Sequence, residues 1–173
     1  TAGGTNAAPQ PNPGGTTNVT VPAAAFTTGS TDPDGTIASY VITQFPTNAT
    51  SITINGTTYT AATFPGTGVT IPAAQIGTVS VDPIDGSVLV SIPFAVVDNA
   101  GEISPNIGNA TLPFIGLNVS GTVFSDPNGS KLQDGAEAGS NGGGLNAVLV
   151  NASNQVVAVT PVAANGTYAF NNV

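Results

Sequence analysis

The chain contains no cysteine, histidine, methionine or tryptophan, and Lys131 is its one basic side chain in 173 residues. Each absence removes a class of function. Without His or Cys no side chain titrates near neutral pH and no thiolate nucleophile exists, and one Lys cannot form the cationic cluster that grips phosphate. Catalysis is therefore not expected. Nine acidic residues against one base leave a net charge of −8, whereas binding a polyanion requires several Lys or Arg to neutralise phosphates. Nucleic acid is not an expected partner. No stretch approaches the ~20 apolar residues that cross a bilayer, and no basic segment followed by an apolar run opens the chain. Direct membrane insertion is not expected, and any secretion signal is expected to have been removed. The lack of Cys excludes disulfides but says nothing about compartment.

Charge is also scarce. Charged residues are 6% of the chain, against roughly 25% in ordinary globular domains, so Thr, Ser, Asn and Gly must supply most of the polar surface. Yet 40% of residues are hydrophobic and mean hydropathy is +0.23, enough to bury a core; disordered chains of low hydrophobicity are usually charge-rich. A trypsin-type protease finds one cleavage point, Lys131, which suits an extracellular protein and is equally compatible with compositional drift.

Residues Thr1 to Gly15 hold Pro9, Pro11 and Pro13 among Gly, Asn and Thr and show no hydrophobic period, which predicts an extended linker or arm. From Thr16 onward, short runs alternate apolar and polar residues between turn residues, the pattern of half-buried strands. The clearest are Asn18 to Pro22, Thr36 to Thr43, Ser51 to Ile54, Thr57 to Ala61, Gly77 to Val81 and Ser87 to Val97. Asn55-Gly56 predicts a tight hairpin, because both positions of a type I′ turn need positive φ. Ser87 to Val97 carries Val88, Val90, Ile92, Phe94 and Val96 on one face and Leu89, Ala95 and Val97 on the other, which places it in the middle of a sheet. A second set follows at Leu117 to Phe124, Leu145 to Val150, Gln155 to Thr160 and Thr167 to Phe170, with a Gly-rich acidic loop after Phe124. No window has a 3.6-residue apolar period with caps, so every expected element is a strand. The fold class read from this pattern is all-β: two β-sandwich domains in tandem, residues 16–113 and 114–173, after the arm at 1–15.

Residues Gly121 to Val173 carry G-x-V-F-x-D-x-N-G at Gly121 to Gly129, the acidic loop, and a closing G-T-Y-x-F-x-N-V at Gly166 to Val173. This third of the chain resembles the prealbumin-like B domains of serine-aspartate-repeat and collagen-adhesin surface proteins. The first domain, with Asp32-Pro33-Asp34-Gly35-Thr36-Ile37 and Val97-Asp98-Asn99-Ala100-Gly101, resembles the immunoglobulin-like and cadherin-like repeats of large Bacteroidetes surface and gliding adhesins. The resemblance implies stalks, filaments or adhesive arms at the cell surface. B domains of this type continue past their N-V with a Pro-Gly-Tyr segment and a final strand. Ending at Val173, the second sandwich is expected to lack that strand and to be completed by a tandem unit or by another copy.

Counting Asp126 as position one, side-chain oxygens fall at Asp126, Asn128, Ser130, Asp134 and Glu137, at positions 1, 3, 5, 9 and 12, and Leu132 offers its carbonyl at 7. That is the ligand spacing of a calcium loop, and the resembled B domains use this loop for Ca²⁺. Against it, Gly129 stands at the fourth position and Lys131 at the sixth, where such loops turn on Gly. A solvated Asx-turn loop is the other reading. Asp32 and Asp34 at one turn and Asp98 and Glu102 at another form a possible second metal set, since cadherin-like repeats gather carboxylates at domain ends; ordinary turn chemistry explains them as well. Asp82 and Asp85 are weaker candidates of the same kind. A glycosidase needs two acids beside a sugar cleft with aromatic walls, and with no Trp the aromatics reach only 6%. An isopeptide bond has no donor, because Lys131 lies in the acidic loop. Eight Asn-x-Ser/Thr sequons, at Asn18, Asn48, Asn55, Asn109, Asn118, Asn128, Asn151 and Asn165, need a host transferase to matter.

The expected function is therefore a secreted, non-enzymatic structural repeat or subunit of a bacterial surface filament or giant adhesin. Its expected partners are neighbouring copies of itself, with Ca²⁺ as the expected cofactor. The alternative is an adhesin module that binds surface glycans or proteins.

Overall fold

The computed structural model describes residues 1–12, 14–151, 153–171 and 173. Pro13, in the predicted arm, and Asn172, in the closing motif, lie outside the described residues. The protein is all-β and divides into two units, Thr1–Gly116 and Leu117–Val173.

In the larger unit the strands are β1 (Gln10–Asn12), β2 (Val19–Thr20), β3 (Ile37–Ile42), β4 (Ala49–Ile54), β5 (Thr57–Tyr59), β6 (Val69–Pro72), β7 (Ser80–Pro83), β8 (Val88–Asp98) and β9 (Gly108–Gly116). They form a five-stranded sheet, order β1-β9-β8-β3-β6, and a four-stranded sheet, order β2-β7-β4-β5. Strand β8 is central, as its two apolar faces predict. The alternation in β8 and β9 turns Val90, Ile92, Phe94, Ala110, Leu112 and Phe114 inward, and Ile52, Ile54 and Val81 of the second sheet, with Val79 just before β7, join them in one apolar core. Asn55 (φ 51°) and Gly56 (φ 77°) form the expected hairpin between β4 and β5.

Several features depart from the expected set of strands. Ala24–Thr27 forms a helical turn, α1, whose Phe26 enters the core edge-on to Phe94 at 5.3 Å and to Tyr40 at 6.3 Å. One turn is too short to show a helical period, so the pattern could not reveal it. Gly77 to Val81, expected as a strand, begins inside a 3₁₀ turn at Ala73–Thr78 that buries Ile76, and the strand starts only at Ser80. Strand β9 went unrecognised although Ala110, Leu112 and Phe114 alternate, because the expected boundary between the two domains, at residues 113 and 114, falls inside it. The ladder tolerates its proline: the arm reaches β9 at the Asn6–Thr111 bridge and again at Gln10–Phe114, on either side of Pro113.

Residues 1–12, read from sequence as a linker or arm, run extended along the larger unit, where β1 lies parallel to β9. Its prolines suit this edge, where a missing N–H leaves no ladder bond unmade. Asn12 is 1% exposed, and its amide donates to the carbonyls of Ile84 (2.8 Å) and Gly86 (2.7 Å). Asp82, 3% exposed, accepts the N–H of Thr17 at 2.8 Å.

The smaller unit contains β10 (Val119–Thr122), β11 (Asn146–Val150), β12 (Val156–Pro161) and β13 (Thr167–Phe170). Strands β10 and β13 pair antiparallel, extended by reciprocal bonds between Leu117 and Val173, and β11 pairs with β12 around a bulge at Leu149/Val150. Tyr168 lies across Gly121, where an added Cβ would come within 2.5 Å of the phenol oxygen. Among the described residues of the smaller unit Val162 and Phe170 are the buried large side chains, while Val148 and Val159, and Val150 and Val156, form cross-strand pairs that are all 49–62% exposed.

Candidate functional site

The acidic loop runs from Ser125 to Ala138 in the smaller unit, and its oxygens are largely bonded to its own backbone. Asp126 accepts the N–H groups of Ser130 (3.1 Å) and Lys131 (2.9 Å), and Asn128 Oδ1 accepts the same Ser130 N–H at 2.8 Å. These are the Asx-type turns that short polar side chains form with backbone two to five residues on. Lys131 takes the left-handed conformation expected of the sixth-position Gly of a calcium loop, with φ 64°. Asn128 Nδ2 donates to Asp134 Oδ1 at 2.9 Å, and Ser130 Oγ donates to the Leu132 carbonyl at 3.0 Å. Asp134 N–H donates to Glu137 Oε2 at 3.3 Å, and Glu137 Oε1 is shut from water with no hydrogen-bond partner among the described residues. Asn128, Asp134 and Glu137 border a recess of about 350 Å³. The six predicted ligands thus share one loop, all with hard oxygen donors of the type Ca²⁺ takes.

The second predicted set lies in the larger unit. Asp98 Oδ1 caps its own turn, accepting the N–H of Ala100 (2.8 Å) and of Glu102 (2.9 Å). Asp32, Asp98 and Glu102 border a recess of about 170 Å³ with Thr31 and Ser104. Asp32 Oδ2 is shut from water and has no hydrogen-bond partner among the described residues. Loss of water, then the Asp34 side chain and charge and the charge of Asp98, raise the Asp32 carboxyl above its ordinary range, against an opposing pull from the Asp34 backbone N–H. Among the described residues no three acidic side chains are grouped to hold a metal ion, so a cation at either place must also draw on amide, hydroxyl and carbonyl oxygens. Asp82 and Asp85 serve the backbone instead, accepting the N–H groups of Thr17 and Gly15.

The direction of the Asp32 shift fixes a pH effect. A carboxyl whose pKa is higher folded than unfolded favours the native state at low pH, and that contribution is lost as pH rises through the carboxylate range. Asp32→Asn in calcium-free buffer is therefore expected to raise the melting temperature of the larger unit at pH 7. The gain disappears near pH 3, where both forms are neutral. Thermal melts at the two pH values check this, and an equal gain at both would mean that charge is not the cause.

All eight sequon asparagines are exposed, though Asn48 and Asn55 use their amides on the carbonyls of Leu89 and Thr70. Sequence reasoning missed the buried polar clasp of Asn12. Its only sequence signal was an Asn between two prolines, which also describes an ordinary turn. No family model matches the chain, and no curated protein matches it.

Proposed function

We propose that the protein is a structural unit of an extracellular bacterial surface filament or large adhesin, in which copies follow one another end to end. The observation that carries this reading is the strand order of the larger unit. Sheets β1-β9-β8-β3-β6 and β2-β7-β4-β5, with the first strand parallel to the last, agree with an immunoglobulin-like repeat, a scaffold that serves as a spacer. The absence of His, Cys and Arg supports a non-enzymatic role. The exposed Val148, Val150, Val156 and Val159 are consistent with a prealbumin-like sandwich that another strand or layer completes. Scattering and electron microscopy of the native protein should show particles that lengthen with concentration; compact monomers at every concentration would end this reading.

In the same reading the loop residues Asp126, Asn128, Ser130, Leu132, Asp134 and Glu137 hold Ca²⁺, which stiffens the smaller unit. The unpartnered Glu137 Oε1 supports this. A cation that binds only the native state stabilises it by mass action, by about 2.7 kcal/mol at a hundred times its Kd. Calorimetry should show a higher melting temperature in Ca²⁺ than in chelator, and Glu137→Gln should remove most of the difference. An unchanged melt rules the cation out.

A second reading, a glycan-binding adhesin module, has one observation in its favour. A recess of about 450 Å³ in the smaller unit is lined by Ser120, Thr122, Thr167, Tyr168 and Pro161, uncharged hydroxyls beside an aromatic ring. Retention on a glycan array that Tyr168→Ala abolishes would favour it.

A further inference from the structure

We propose that the arm at residues 1–12 is an exchangeable strand: in the assembly, the arm of one copy lies along β9 of a second copy. The proposal rests on the end-to-end reading above and supplies its joint.

The arm is held by contacts with the body of the larger unit. Ala7 N–H donates to the Thr111 carbonyl (2.8 Å), Thr5 N–H to Ala25 (3.0 Å) and Gly4 N–H to Thr28 (2.9 Å). Asn106 bonds both backbone groups of Ala2, and Asn12 fills a socket made by the Ile84 and Gly86 carbonyls. Every one of these acceptors and donors belongs to residue 25 or later, so an arm from another copy satisfies the same groups equally well. Strand exchange of this kind preserves the native contacts and changes only the connection.

The groove selects its occupant. An added Cβ on Gly4 would come 2.2 Å from the Asn109 carbonyl oxygen, one on Gly3 2.2 Å from the Gly29 backbone, and one on Gly108 2.1 Å from the Gly3 carbonyl oxygen. Backbone meets backbone there, so only an arm with consecutive glycines, placed nine residues before an amide side chain, fits both the close approach and the socket. Within this chain residues 142–151 share that spacing, but they run into β11, which is paired with β12; the stretch that lies along β9 is the arm at residues 1–12, and a second copy supplies another.

The connection can change because Gly14 (φ 75°) and Gly15 (φ 66°) take left-handed conformations where the arm folds back on its own body. A Cβ on Gly15 would touch nothing within 4 Å. Among the described residues only its backbone angle, and no packing, opposes another residue there. An L-residue resists positive φ, so Gly15→Ala penalises the folded-back connection and leaves an extended, exchanged one unpenalised.

The test uses full-length chains. Pro11 and Ile115 are register partners and both exposed, and the chain contains no native Cys. A Pro11→Cys variant is mixed with an Ile115→Cys variant, co-refolded so that arms repartition, and oxidised. The control pairs Pro11→Cys with Ile103→Cys, another exposed position. Exchange predicts a disulfide-linked heterodimer well above the control, rising roughly tenfold when both chains also carry Gly15→Ala. A yield no higher than the control overturns the proposal, as does a yield unmoved by Gly15→Ala. Fibres seen by microscopy without this cross-link defeat arm exchange and leave the end-to-end reading standing. The cross-link without fibres does the reverse.

Discussion

Replacing Phe94 with alanine is expected to destabilise the larger unit by about 4 kcal/mol, the largest effect of any single truncation in the chain. Its ring is fully buried and lies 5.3 Å from Phe26 and 5.8 Å from Tyr40. A Phe→Ala change in a core costs ~3–5 kcal/mol through lost transfer energy and a residual cavity, and aromatic pairs add ~0.5–1.5 kcal/mol. The neighbours cannot close the hole easily. Tyr40 is fixed in β3 between β8 and β6, and Phe26 stands on a single helical turn whose position is set by its neighbours. Against a typical total of ~5–15 kcal/mol, such a loss leaves the unit close to unfolding. Urea denaturation followed by circular dichroism measures it. A loss under ~1.5 kcal/mol would mean that the three-ring cluster does not organise this core.

The second large effect is expected at Asn12. Asn12→Ala removes the amide that satisfies the Ile84 and Gly86 carbonyls, and a buried group stripped of its partner costs about 1–3 kcal/mol. A loss of about 2–3 kcal/mol in the same urea assay is expected. Asn12→Asp should be worse than alanine at pH 7, because a carboxylate cannot donate and would face two carbonyl oxygens. That order separates a hydrogen-bonded clasp from simple space filling. If Asp were the milder change, the socket would not be reading a donor.

How much of this was legible before the structure depends on the residue. Period-two alternation identified β8, the β4–β5 hairpin and β13 because their apolar faces are unambiguous and their turns use Asn-Gly or Gly. The same rule missed β9, which the expected domain boundary at Pro113 cut in two, and β6, where Val69–Pro72 is too short to establish a period. The arm was legible as extended but not as part of a sheet, since strand pairing with β9 bridges about a hundred residues of sequence and leaves no local trace. The acidic loop was found by its spacing and by the resemblance of its flanking motifs to B domains. Spacing does not reveal that Asp126 and Asn128 bond backbone N–H groups, because the same oxygens suit a turn and a cation.

The parallel pairing of β1 and β9 also decides how the larger unit bears force. In a parallel pair, tension on the chain before Gln10 and after Gly116 pulls the two strands in opposite senses along their length. The load is a shear, shared by all the bonds between them at once, whereas antiparallel strands pulled from one shared end would part bond by bond. The prolines that blur this strand in the sequence do not weaken that geometry. A unit built this way holds its length under tension until the arm's bonds and the Asn12 clasp give way together.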